Sequence, residues 1–458
     1  MINVQRHPAS YKDPAGFLFS HEGVLYRQID RRYAEHYQHL MNSGLYQELV
    51  EARLLLSHEE LPPEFFAGIG AYKILRPKPL TTISYPYEWC FDQLRDAGLV
   101  TLQICLKALQ KGMILKDASA YNIQFEDGHP MLIDTLSFEK YDTAQPWIAY
   151  RQFCQHFLFP LYLEHYTHTS WLPMLSQHLD GLSAAATYSL LPWTSRWNLG
   201  VRLHVGLQAH PPHWSQSQTP RQSFSQKKMS HLLHHLQSIL ENLRPGYGKK
   251  SIWSTYYGHS ITGGSYLSAK EKQLKEILQQ LPKQKIIDLG TNEGHFAEMA
   301  AAMGHTVIAL DSDPLCINTL YQKSKKDQLP LLPLVIDLSN PSPSLGFRHL
   351  ERQSFSERIQ GDLLLALALI HHLCISKNIP FSDLAQWLST LAPRLILEFI
   401  PREDEKVQGL LAHSEDQFED YNEVVFEAAF KAYYDVKSRT LIPGSSRVIY
   451  DFLRKEKS

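Results

Sequence analysis

Residues 285–314, KIIDLGTNEGHFAEMAAAMGHTVIALDSDP, confine the second half of the chain to a narrow choice of folds. The Ile286-Ile287 run reads as a buried strand, TNEG as a turn, and HFAEMAAAMG as a strong helix former closing at Gly304. HTVIALDSDP is then a second strand ending in Asp311 and Asp313, and LCINTLYQKSKK a second helix. A strand, glycine turn, helix and strand with an acid at the second strand's tip form the core of a doubly wound nucleotide site. Such an acid can accept hydrogen bonds from both ribose hydroxyls. Asp311 stands 21 residues beyond Gly290, close to the ~20 expected.

Two ligands compete for the turn. A dinucleotide needs G-x-G-x-x-G, so that its pyrophosphate meets bare backbone at the helix N-terminus. This chain offers only Gly290 and Gly294, with Glu293 between them to repel a diphosphate. S-adenosylmethionine carries a cationic sulfonium instead, and Asp288 at the strand end suits that charge.

The segment resembles the class I S-adenosylmethionine-dependent methyltransferases. Asp288, Gly290, Asn292 and Gly294, with Thr291 among them, match that family's first motif around the methionine part of the cofactor. Asp311, with Ser312, falls where the family places its ribose-binding acid, and Asp337-Leu338 where the third strand meets the adenine. GDLLLALALIHHL (361–373) resembles the fourth strand and its substrate-facing loop, RLILEFIPRED (394–404) the fifth. KAYYDVKSRTLIPGSSRVIYDFL (431–453) reads as the closing antiparallel hairpin, turning at Pro443-Gly444. The resemblance implies a seven-stranded Rossmann-like sheet over about residues 280–455.

Each residue also has a plainer reading. An Asp at a strand end often only caps a helix or turn. His371 and His372 follow an apolar strand at the rim of the sheet and suit a general base or acceptor-orienting role; equally, they suit packing under a loop. Glu398 on the fifth strand either faces substrate or pairs with Arg402. Methyl transfer asks for little beyond in-line positioning, so it does not demand a catalytic residue.

The first half holds a second pattern, MILKDASAYNIQFEDGHPMLIDTLSFE (113–139). Asp117, then Asn122, a hairpin turning at Glu126-Asp127-Gly128, and Asp134 follow the order of a protein-kinase or aminoglycoside-phosphotransferase catalytic segment. In that chemistry the first acid receives the hydroxyl proton, while Asn and the last acid hold the magnesium ions of Mg-ATP. The resemblance implies a catalytic Asp117 and metal ligands Asn122 and Asp134. It departs from the family at Leu115-Lys116-Asp117 and Asp134-Thr135-Leu136, and no G-x-G-x-x-G lies upstream. Lys73, with Glu88 as partner, is the candidate for the nucleotide lysine. Asp117 and Asn122 could also simply brace a loop.

These readings give an α/β chain in three parts: residues 1–170, an α+β domain with a kinase-like segment; 171–260, a helical and linker region; and 261–458, the methyltransferase domain. HPPHWSQSQTPRQSFSQKK (210–228) reads as the linker. His231 and His235 have zinc-compatible spacing, but a packed or solvated histidine face accounts for them better. With 458 residues, 44% hydrophobic and 20% charged, the chain can bury ample core. A net charge of −2 provides no overall field for nucleic acid or anionic lipid, and no apolar stretch is long enough for membrane insertion. Five scattered cysteines and the absence of a signal-peptide pattern fit a cytoplasmic protein with reduced thiols.

As a whole, ISYPYEW (83–89), LKDASAYNIQF (115–125), IDTLSFE (133–139) and EFIPREDEKVQGLL (398–411) resemble two-part bacterial methyltransferases of the host-specific nodulation type. Fusion of a kinase-like segment to a methyltransferase also resembles bacterial polysaccharide chain-terminating enzymes. The acceptor so implied is a glycan or a small hydroxylated molecule. Three functions stay open: a methyltransferase, a bifunctional kinase and methyltransferase, and a non-catalytic binding protein. The sequence leaves the acceptor atom and the oligomeric state undetermined.

Overall fold

The computed structural model describes residues 4–66, 69–210, 224–248, 264–412 and 418–456. Two compact units are formed, Met1–Gly248 with Ser344–Gln353, and Lys249–Pro343 with Ser354–Ser458.

The second unit is built on seven strands: β1 (Lys285–Leu289), β2 (Thr306–Asp311), β3 (Leu331–Val335), β4 (Leu363–Ala366), β5 (Arg394–Phe399), β6 (Tyr434–Leu441) and β7 (Val448–Arg454). Their order is β3-β2-β1-β4-β5-β7-β6. The first five run parallel, and β7 lies antiparallel between β5 and β6. Burial on both faces explains the near-continuous apolar runs: Ile286, Ile287 and Leu289 are enclosed, as are Val307 to Leu310 and Leu363 to Ala366. Between β1 and β4 the order of strands reverses, which opens a crevice beyond their carboxyl ends.

Local chemistry sets the turns at that edge. Gly294 has φ +87°, and a Cβ there would lie 2.2 Å from Leu320 Cδ1, so only glycine lets the helix His295–Ala302 begin so close to its neighbour. Asp313 caps the helix Pro314–Asp327 by accepting from the Leu315 and Cys316 amides at 2.8 and 3.3 Å, with Pro314 at the first helical position. One face of the sheet is covered by the helix Gly264–Gln279, whose Tyr266, Leu274 and Leu278 join Ile286, Phe296 and Ile396 in one apolar cluster.

The first unit has a five-stranded antiparallel sheet ordered Gln5–Arg6, Gly16–His21, Val24–Ile29, Lys73–Pro77, His58–Leu61. The buried helix Phe91–Gln110 then leads into the short strand Met113–Leu115, which pairs with Phe138–Lys140. Between these two strands lies the hairpin Ile123–Glu126 and His129–Leu132. The helix Gln226–Asn242 belongs to the same unit. It buries Met229, Leu233, Leu236 and Leu240, and a Cβ on Gly98 would come within 2.9 Å of Leu240 Cδ1. Ser344–Gln353 is also part of this unit, although it falls within residues 261–458. Its Glu351 meets Lys12 at 3.3 Å, and the Gln353 amide donates to the Tyr85 hydroxyl at 3.1 Å. Most of the linker tract, residues 211–223 with His213, lies outside the described residues. Among the described residues no helix is long and apolar enough to cross a membrane.

Candidate functional site

A cavity of about 290 Å³ opens at the carboxyl edge of the parallel strands. Gly290 and Asn292 after β1, Asp311 and Ser312 after β2, Asp337 and Leu338 after β3, and His372 after β4 all line it. Asp288, Thr291, Gly294, His371 and Glu398 are not among its lining residues. Gly290 sits at φ +69°, where a Cβ would approach Leu369 Cδ1 to 2.9 Å, so its backbone is left bare to the crevice. Ala368, also on the wall, is held at φ +53°, a strained conformation for a residue with a Cβ.

Asp311 is positioned by its own turn. Its Oδ2 accepts from the Asn292 amide at 2.8 Å and its Oδ1 from the Asp313 amide at 2.9 Å. Burial raises its pKa, and these backbone hydrogen bonds work against that rise. A carboxylate has about four lone-pair positions, so acceptor capacity remains beyond these backbone bonds. Asp288 lies beneath, buried, where its Oδ2 accepts from the Thr291 hydroxyl at 2.6 Å. Burial pushes its pKa up to about 7, offset in part by Thr291 and Lys270.

Tyr266, Lys270, Lys406 and Arg447 also line the cavity. Here Glu398 differs from its expected pairing with Arg402. Fully buried, it accepts from the Tyr266 hydroxyl, faces Lys270 Nζ at 2.6 Å, and lies 3.8 Å from Arg447. Arg402 instead donates to the Phe418 carbonyl. Arg447 also grips Asp404 at 2.8 and 3.1 Å and donates to the Tyr266 hydroxyl at 3.0 Å. His372 packs against the buried His371 with ring centroids 4.0 Å apart and the rings tilted by 40°. Burial, then the charge of Lys406, lowers the His372 pKa to about 4, so the imidazole is neutral throughout the physiological range. For His371 burial drives the pKa well below the usual range. Sequence reasoning missed Tyr266, Lys270 and Arg447. Their alternation with apolar neighbours reads as ordinary amphipathic patterning, and only the fold brings them to one cavity.

The chemistry of the donors fits S-adenosylmethionine. Acids at the tips of β2 and β3, bare backbone at Gly290 and the apolar Ile336, Leu338 and Leu369 between them suit a nucleoside with a cationic centre.

In the first unit, Asn122 and Asp134 are brought together through Ser137. Asn122 Nδ2 donates to Ser137 Oγ at 3.3 Å, and Ser137 Oγ donates to Asp134 Oδ2 at 3.0 Å. Asp134 Oδ1 faces Arg27 at 3.1 Å, and Arg27 also pairs with Asp13. Asp117 Oδ1 accepts the Ser119 amide at 3.1 Å, bracing its loop. The expected pairing of Lys73 with Glu88 is not formed. Lys73 meets Glu60 at 2.8 Å, whereas Glu88 is buried and accepts the Tyr85 amide at 3.0 Å. The basic residue that reaches the acid is Arg27 on the strand Val24–Ile29. So arranged, the residues do not fit magnesium, because a guanidinium already supplies the positive charge at Asp134. No group of three His, Cys, Asp or Glu side chains placed to hold a metal ion occurs among the described residues.

The strand order and the crevice at its reversal define a class I methyltransferase fold in the second unit. The chain is 35% identical over 470 residues to nodulation protein NoeA of Rhizobium meliloti (strain 1021), a match spanning 98% of this chain and 96% of the relative. The chain belongs to the family of that nodulation protein. No family model matches it. Among solved structures, it is similar to the magnesium protoporphyrin IX methyltransferase ChlM from Synechocystis PCC 6803 with bound SAH (16% identity, 43% of this chain and 88% of that one, TM-score 0.31). It is also similar to the bifunctional kinase-methyltransferase WbdD (16% identity, 44% and 41%, TM-score 0.30).

Proposed function

We propose that the chain is an S-adenosylmethionine-dependent methyltransferase acting on a small hydroxylated molecule or a glycan. One observation carries this reading: the cavity at the strand-order reversal is lined by Gly290 and Asn292 after β1 and by the acids Asp311 and Asp337 after β2 and β3. When bound, S-adenosylmethionine supplies an electrophilic methyl group on a cationic sulfonium. Asp311 would hold the ribose hydroxyls, Asp337 and Leu338 the base, and the Gly290 turn the methionine portion.

The part of the lining formed by Tyr266, Lys270 and Arg447 serves the acceptor. Tyr266, Lys270 and Arg447 are fixed by their shared contacts with buried Glu398, which makes Glu398 a positioning residue rather than a participant. His372 is neutral and borders the cavity, so it can accept a hydrogen bond from an acceptor hydroxyl and orient it toward the methyl group. The five free, buried cysteines support a cytosolic setting. Nodulation, named for the relative, is the process to which this reading would extend.

Calorimetry and thermal melting with S-adenosylmethionine test the proposal. Saturable heat and a raised melting temperature are expected. Absence of both in the folded protein would refute it.

A further inference from the structure

We propose that the face formed by Trp193, Trp197, Leu199, Leu203 and Leu207 docks on an anionic lipid bilayer. The helical stretch from Leu199 to Ala209 contains a wide turn at Arg202–Gly206. Its inner side is already packed within the unit, since Val201, Val205 and His204 are buried and the Tyr150 hydroxyl lies 2.6 Å from His204 Nδ1. Its outer side ought therefore to be polar, as on any solvated surface helix. Instead Leu199, Leu203 and Leu207, four residues apart, are 62%, 40% and 55% exposed. The turn just before adds Trp193 and Trp197, 70% and 80% exposed. Isolated exposed apolar residues are ordinary; five within fifteen positions, two of them Trp, mark a contact surface.

Charge identifies the occupant. From Gly181 to Leu240 the sequence contains no Asp or Glu, whereas 47 acids in 458 residues would place about six in a tract of that length. The same tract holds Arg196, Arg202, Arg221, Lys227 and Lys228. Arg196 and Arg202 are exposed beside the apolar row, and Arg196 lies over the Tyr188 ring at 4.4 Å, which fixes its position. A second copy of this face would bring like charges together. Trp at the margin of an apolar row, in a tract of sequence that carries basic residues and no acids, suits the interfacial zone of a bilayer whose headgroups are negative. The overall charge of −2 conceals this segregation, because the balancing acids lie elsewhere in the chain.

The test is co-sedimentation of the full chain with phosphatidylcholine vesicles, with and without about one-third phosphatidylglycerol. Binding at least about tenfold tighter to the anionic vesicles, weakened by added salt, is expected. The pair Trp193→Ala and Trp197→Ala should remove that binding while leaving the melting temperature nearly unchanged. Arg196→Gln with Arg202→Gln should abolish the preference for phosphatidylglycerol. Should the tryptophan variant fold poorly, Leu203→Glu on the same exposed row serves in its place. Equal binding to both vesicle types, no binding, or binding indifferent to these substitutions overturns the proposal. So does concentration-dependent dimerisation that depends on the two tryptophans and occurs without vesicle binding.

Discussion

Asp311 and Asp134 look alike in sequence: each is an acid at the tip of a strand, at the spacing its nucleotide chemistry requires. The fold treats them differently. Asp311 is held by the Asn292 and Asp313 amides, uncharged donors that leave its negative charge facing a cavity. Asp134 is capped by Ser137 and neutralised by Arg27 at 3.1 Å. Spacing can thus place a carboxylate correctly for a ligand, but the neighbouring charge decides whether a ligand is needed there.

The largest effect should come from Asp311→Ala. Two charge-assisted hydrogen bonds to a ribose, at about 2 kcal/mol each, would weaken S-adenosylmethionine binding by roughly 1,000-fold. Calorimetry reads this directly, with melting curves to confirm folding. Retained affinity would break the distinction, because the open carboxylate would then be idle.

Arg27→Met should cost about 3 kcal/mol of stability in urea unfolding, since Asp13 and Asp134 would face each other without their shared cation in a largely enclosed site. Wild-type protein should show no rise in melting temperature with Mg-ATP. A rise of several degrees would mean that Arg27 yields to the nucleotide, and the two acids would then be alike after all.

Much of the second unit was legible in the sequence because its signals are local. Parallel strands buried on both faces read as apolar runs, and the turn after β1 carries its glycines and acid within ten residues. What escaped is non-local. Arg27 is one basic residue in the half-exposed strand VLYRQI, with nothing in its neighbourhood to tie it to Asp134 more than a hundred residues later. Lys270 and Arg447 likewise meet Glu398 only because the helix Gly264–Gln279 covers the sheet beside the start of β7. Ser344–Gln353 has no compositional mark to separate it from the flanking sequence, and its place in the first unit depends on contacts such as that of Glu351 with Lys12.

Asp288 offers a third kind of acid, buried under the cofactor turn with its pKa raised to about 7. Its unfolded value is near 3.9, so the folded chain binds the proton more tightly. The stability this contributes is fully present below pH 3.9 and is lost as pH rises through 7. Asp288→Asn retains an acceptor for the Thr291 hydroxyl but cannot ionise. Between pH 5.5 and 7 the wild type should therefore lose up to about 2 kcal/mol relative to the variant in paired urea titrations. Parallel curves would show that Asp288 is already ionised in the fold, with Lys270 as its counter-charge.

The smallest effect separates Arg27, which reaches Asp134, from Lys73, the sequence's candidate for the nucleotide lysine. Lys73 and Glu60 form a 2.8 Å pair whose side chains are about one-third exposed, and Glu60 also accepts the Tyr37 hydroxyl at 2.7 Å. Removing Lys73 leaves that carboxylate a hydrogen-bond donor and access to water, unlike the enclosed acids around Arg27. Lys73→Met should therefore change unfolding stability by less than about 0.5 kcal/mol. A loss equal to that of Arg27→Met would imply that the exposed pair carries strain or structure beyond its own charge, and the assignment of Arg27 as the residue that closes Asp134 would lose its energetic basis.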